Sequence, residues 1–119
     1  RKLSRSTDGG ATWSPLSDDA TLIEPICQAS LISNQKRGRK HRLYFSNPAS
    51  QEKRERMTLR ASQDDGKTWH NSKVIHEGPS AYSDLVMLKG KKIGILYEGG
   101  LKSPYEGIAF ERLALKDLE

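Results

Sequence analysis

The 119-residue sequence contains one cysteine, Cys27, so no disulfide can close within it and a disulfide-stapled scaffold is excluded. Its three histidines, His41, His70 and His76, are scattered without metal-ligand spacing, and no metal site or other cofactor is expected. Long apolar runs are also missing. None approaches the ~18 residues a bilayer span needs, and the first residues do not follow the charged, apolar, then small-residue order of a secretory signal. Helical periodicity is absent as well: Ala20 to Glu24 is too short to count, and Leu113 to Leu118 has room for one helical turn at most. Hydrophobic residues make up 34% and charged residues 29%, a soluble, globular balance with a thin core and a length suited to about one domain.

What remains is a succession of short alternating segments: Lys2 to Ser6, Ile26 to Ser33, Arg42 to Ser46, Arg56 to Ser62, Lys73 to His76, Ser83 to Lys89, Lys92 to Glu98 and Gly107 to Leu115. Turn formers punctuate them, among them Asp8-Gly9-Gly10, Asn47-Pro48, Asp64-Asp65-Gly66, Gly78-Pro79 and Gly99-Gly100. This is the pattern of an all-β chain built from hairpins. The net charge of +5 favours anionic partners. The densest basic stretch, QKRGRKHR at residues 35 to 42, lacks interleaved aromatics and reads as a solvated hairpin loop with Gly38 at its turn, not as a nucleic-acid patch.

One octet occurs twice. STDGGATW at residues 6 to 13 and SQDDGKTW at 62 to 69 share Ser-x-Asp-x-Gly-x-Thr-Trp, with Ser6 and Ser62 separated by 56 positions. In each, the Asp (Asp8, Asp64) can accept bonds from backbone N–H groups further along the turn, and the Gly (Gly10, Gly66) supplies a backbone angle that a Cβ penalises. Trp13 and Trp69 offer large apolar plates to lock each hairpin against its sheet. These residues build structure and carry no chemistry. A repeat of roughly 50 residues made of several short strands points to propeller blades. Two blades cannot close a ring, so further blades are expected outside this sequence.

The octets match the Asp-box motif of sialidase propellers, which also occurs in unrelated proteins. The intervening stretches are more specific: YFSNPASQEKRERMTLRAS (44 to 62), GPSAYSDLVML (78 to 88) and IGILYEGG (93 to 100). In that order they resemble the last third of an exo-α-sialidase, over nearly the whole chain. The resemblance implies that residues 1–119 are the C-terminal part of a partial six-bladed β-propeller, about two to three antiparallel blades, truncated at the N-terminus. It implies a retaining glycoside hydrolase that removes terminal α-linked sialic acid from glycoproteins, glycolipids or oligosaccharides. It also favours a secreted, periplasmic or lysosomal setting over the cytosol, although the residues themselves leave the compartment open. Neither nucleic acid nor a membrane span is expected.

Sialic acid carries a carboxylate on its anomeric carbon, and the planar fork of arginine pairs with such a group bidentately. By resemblance, the second of three family arginines falls on Arg1, five residues before an Asp-box Ser. The third falls on Arg54, after the Asn-Pro turn, with Arg56 and Arg60 as competitors on the same side of the strand by parity. The resemblance likewise puts the nucleophile on Tyr82, through its place in Gly-Pro-Ser-Ala-Tyr-Ser; a neutral phenol suits the role, since it approaches a carboxylate-bearing carbon without the repulsion a carboxylate meets. A phenol with a pKa of about 10 is ionised about one part in a thousand at pH 7, so a neighbouring base is required. The resemblance places that Glu, the acid/base Asp and the first arginine upstream of this sequence, which leaves the isolated chain nearly inert. Glu98 takes a supporting role, holding the first arginine. Asp84 shares the side of Tyr82 by alternation but occupies a position the family leaves variable. Two alternatives stand: a noncatalytic Asp-box propeller that binds glycans or proteins, and a heparin or RNA binder using residues 36 to 42.

Overall fold

Strand-forming segments that follow one another along a chain tend to pair with their sequence neighbours, and among the described residues every strand does so. A computed structural model describes residues 1–34 and 41–118. Among them are β1 (Lys2–Leu3), β2 (Ser17–Asp18), β3 (Ser30–Ser33), β4 (Leu43–Pro48), β5 (Glu55–Ser62), β6 (Asn71–Leu88), β7 (Lys92–Gly99) and β8 (Gly107–Ala114), closed by a 3₁₀ turn at Leu115–Leu118. The strands β3 to β8 run antiparallel in sequence order as one six-stranded sheet, and β1 pairs with β2 beside it. Arg5 joins the two, donating to Asp65 O at 2.7 Å and to Gly66 O at 3.2 Å. Most of the basic stretch, residues 35–40, lies outside the described residues, but the strands flanking it pair antiparallel, with Ser33 opposite Leu43.

Three expected breaks fall differently. Gly78-Pro79, expected as a turn, lies inside the 18-residue β6. There the strand changes partner: its first part pairs with β5 up to Glu55 opposite Pro79, and its second part with β7 from Ser80 opposite Gly99. Proline has no N–H to give a ladder, so it fits where one pairing ends and the next begins. Asn47-Pro48, also expected as a turn, forms the end of β4, for the same reason. The segment expected to begin at Ile26 instead starts at Ser30, because Ile26 has φ 54°, a left-handed angle that extended backbone cannot contain.

Period-two alternation divides β7 cleanly. Ile93, Ile95 and Tyr97 point into the main core with Tyr44, Met57, Leu59, Leu85 and Leu113, and Leu115 and Leu118 of the terminal turn close its end. Burying each such aliphatic side chain contributes about 1.5–3 kcal/mol. The opposite face of β6 to β8 is apolar and exposed, through Val86, Leu96, Ile108 and Phe110, with Leu96 directly opposite Phe110. Gly94 is necessary there, since a Cβ would come within 2.7 Å of the Phe110 ring. A second cluster gathers Leu22, Phe45 and Trp69, whose ring lies 5.7 Å from that of Phe45. The two octet tryptophans thus differ: Trp69 is buried, whereas Trp13 is 62% exposed and locks nothing in the described residues. Its neighbours are β1 and β2, strands of only two residues each, too short to provide a sheet face.

Candidate functional site

The two Asp-box turns are near duplicates. In each, Ser Oγ donates to Asp Oδ1 at 2.8 Å and accepts from the Gly N–H at 2.8 Å (Ser6, Asp8, Gly10; Ser62, Asp64, Gly66). The same Asp accepts from the backbone and hydroxyl of the following Thr, at 2.9 and 2.5 Å for Thr12 and 2.9 and 2.6 Å for Thr68. Bonds to the charged form lower a carboxyl's pKa. The Thr12 hydroxyl foremost brings Asp8 to about 2, and the Thr68 hydroxyl holds Asp64 well below the usual carboxylate range. With its lone pairs so engaged, each box is a structural turn.

The chemistry-bearing residues gather around β6. Between the pairs Ser80–Gly99 and Ser83–Tyr97, β6 advances three residues while β7 advances two, so Ala81 and Tyr82 share one opposing residue, Glu98. This is a β-bulge, a device that re-aims a side chain beside a site. Freed from the ladder, Tyr82 N donates to Glu98 Oε2 at 3.0 Å, and the Tyr82 ring is half exposed. The Arg54 guanidinium lies over that ring, 5.8 Å from its centroid. Arg54 donates to Tyr105 Oη at 2.9 Å and to Ile26 O at 3.2 Å. Arg1 donates to the adjacent carbonyl, Cys27 O, at 3.1 Å, forms an ion pair with Glu24 and lies over the Phe45 ring at 5.6 Å. Both arginines are therefore fastened to one peptide segment, residues 24–27. Burial raises the pKa of Cys27, against the opposing influence of Arg54 and Arg1, which places that thiol among their charges.

Of the candidates for the third arginine, Arg54 is the one beside Tyr82. Arg56 pairs with Glu77 at 3.2 Å, and Arg60 is buried, its pKa lowered by desolvation, with a 3.4 Å bond to Asn47 Oδ1. The expectation that the three share one strand face fails, because register shifts on both sides of Met57 and a φ of 59° at Arg56 break the alternation. A cavity of about 400 Å³ is lined by Gln28, Tyr82, Asp84, Leu96, Glu98 and Ile108, among others. Arg1 and Arg54 do not line it. Asp84 faces the cavity with Tyr82, but its Oδ1 accepts from Ser30 Oγ at 3.0 Å and from Leu85 N at 2.9 Å. Four contributors were not singled out from sequence: Glu24, Ile26, Gln28 and Tyr105. Their signal is spatial, since Tyr105 meets Arg54 across 51 positions and Gln28 meets Ser83 across 55.

Known proteins resemble this chain over most of its length. The BNR repeat-like domain family matches residues 1–95. The chain is 42% identical over 105 residues to a sialidase of Micromonospora viridifaciens, covering 84% of this chain and 16% of that protein. It is 34% identical over 125 residues to a sialidase of Bacteroides fragilis, covering 99% of this chain and 22% of that one. Among solved structures, the Hadza microbial sialidase Hz136 superposes with a TM-score of 0.82 at 37% identity, over 98% of this chain and 23% of its own. The chain thus spans about a fifth of the length of these relatives. With its paired Asp-boxes and antiparallel sheets arranged as in their propellers, it belongs to the sialidase family and forms a BNR-repeat part of that fold.

Proposed function

We propose that this chain is the C-terminal portion of a sialidase propeller that hydrolyses terminal α-linked sialic acid with retention, Tyr82 serving as nucleophile and Arg1 and Arg54 binding the substrate carboxylate. The observation that carries this reading is the placement of the Arg54 guanidinium over the Tyr82 ring, with Arg1 fastened to the next carbonyl of the same segment. A permanently charged fork beside an uncharged hydroxyl suits a sugar whose reacting carbon bears a carboxylate. Tyr82 Oη would form a bond to the anomeric carbon as the glycosidic C–O bond breaks and the leaving oxygen takes a proton. Water then replaces Tyr82 on that carbon.

The proton donor, the base for Tyr82 and the first arginine belong, on this reading, to blades outside this chain. On this reading the exposed face of Val86, Leu96, Ile108 and Phe110 is where one of those blades would pack. Each missing acid/base contribution is worth about 10²–10⁴ in rate, so the isolated chain should show negligible turnover.

In the full-length protein, Tyr82→Phe should remove most turnover of a sialoside while leaving sialic acid binding close to wild type, measured by calorimetry. Unchanged turnover would refute the nucleophile. Retained glycan binding with no turnover in the wild type would identify a noncatalytic module.

A further inference from the structure

The second half of β6 has β7 on one side, and on the other its backbone meets side chains in place of a strand. Gln28 Nε2 donates to Ser83 O at 3.0 Å, and Gln28 Oε1 accepts from Ser83 N at 3.0 Å. Two residues on, Ser30 Oγ accepts from Leu85 N at 3.1 Å and donates to Asp84 Oδ1 at 3.0 Å. Residues 28 and 30 thus meet residues 83 and 85 at the same two-residue spacing that a strand ladder uses. An amide group that gives one donor and one acceptor to the N–H and C=O of a single residue reproduces the paired bonds of a hydrogen-bonded strand pair. Below them, Ser46 Oγ and Ser83 Oγ lie 2.8 Å apart in the buried interior.

From this we infer that Gln28, assisted by Ser30, is a positioning residue for Tyr82: its carboxamide clamps the peptide groups of Ser83 and so fixes the bulge that aims the phenol. The inference rests on the reading of Tyr82 as nucleophile. Tyr82 is held on its own amide by Glu98 from the β7 side and, one residue later, by Gln28 from the opposite side. A bulge lacks the ladder that would otherwise hold its residues in register, so two side chains from different parts of the chain replace it. Gln28 also follows directly on Ile26 and Cys27, whose carbonyls hold Arg54 and Arg1. The left-handed φ of 54° at Ile26, an uncommon angle for a β-branched residue, lets the two carbonyls and the carboxamide serve three groups within one short turn. Any shift of that turn moves clamp and nucleophile together.

The test uses the full-length protein, with Gln28→Ala, Gln28→Glu and Tyr82→Phe compared in steady-state kinetics on a sialoside. Displacing a reacting group by about 1 Å can cost about 10²-fold, so Gln28→Ala should lower kcat by about that factor with KM nearly unchanged. Gln28→Glu carries its own signature. Ionised, it sets a carboxylate oxygen against Ser83 O; protonated, it again offers one donor and one acceptor. Its kcat relative to wild type should therefore rise as pH falls through the carboxyl range, whereas that of Gln28→Ala should not. The Glu variant, read at several pH values, decides the matter even where the Ala variant does not fold. A Gln28→Ala enzyme with wild-type kcat, or with raised KM alone, would overturn the positioning role while leaving Tyr82 as nucleophile. Full turnover in Tyr82→Phe would instead remove the reading on which the role rests.

Discussion

At the scale of single residues, two octets of one pattern have unequal consequences because their surroundings differ. Trp69 is buried against Phe45 and donates to Asp19 Oδ2 at 3.2 Å, whereas Trp13 donates to its own turn at Gly10 O and is otherwise in water. Gly66, with φ 75°, sits so close that a Cβ would meet the Trp69 ring at 3.3 Å and Leu43 at 3.4 Å. Removing a buried indole typically costs about 3–5 kcal/mol. Trp69→Ala should therefore destabilise the chain by that order, and Trp13→Ala by less than about 1 kcal/mol, as is usual for exposed positions. Urea unfolding monitored by circular dichroism measures both. Equal losses would mean that Trp13 is covered in solution. The repeat itself was legible in the sequence because the bonds joining Ser, Asp, Gly and Thr within each box are local, spanning two to four residues. Burial of the indole was not, since it depends on Phe45 and Leu22, which no spacing relates to the octet.

Among elements, the connection from β7 to β8 shows how a loop becomes a site component. The Glu106 carboxylate accepts from the backbone N–H groups of Leu101 at 3.0 Å, Lys102 at 2.8 Å and Ser103 at 2.9 Å. A Cβ at Gly100 would run into the Ser103 carbonyl and the same carboxylate. This curl presents Tyr105 to Arg54. The bond from Leu101 foremost, followed by that from Lys102, lowers the pKa of Glu106. With the folded value below the unfolded one of about 4.3, the loop's stabilisation is complete above that pH and is lost as pH falls through the lowered value. The amide resonances of Leu101, Lys102 and Ser103 should therefore titrate together with a midpoint under about 4.3, and not at all in Glu106→Gln. Separate midpoints, or none in the wild type, would contradict the shared carboxylate. Strand β7 could be read from alternation, because Ile93, Ile95 and Tyr97 are buried and Leu96 between them is open. The bulges in β5 and β6 could not, because an extra residue leaves no compositional mark and yet reverses every parity beyond it. For that reason Tyr82 could be proposed from its sequence context, while the side chains that hold it were found only in three dimensions.

For the whole molecule, the open question is what lies against the outer face of β6 to β8. Val86, Leu96, Ile108 and Phe110 are roughly half to three-quarters exposed, and Leu96 and Ile108 also line the cavity that reaches Tyr82 and Glu98. Contiguous apolar surface of this kind marks an interface. The chain covers 23% of the length of a sialidase structure it matches over 98% of its own, so a propeller of that size has several further blades to offer. If one of them covers this face, a charge placed there is harmless to the chain alone and costly to the complete protein. Leu96→Asp should leave the thermal midpoint of the isolated chain within a few degrees. In the full-length protein the same substitution should lower the midpoint substantially, since a buried carboxylate without a partner costs several kcal/mol. Turnover should fall with it, because the face continues to Glu98, whose carboxylate holds the Tyr82 amide. A full-length Leu96→Asp protein as stable and active as wild type would mean that no blade closes on this side and that Tyr82 opens to solvent across it.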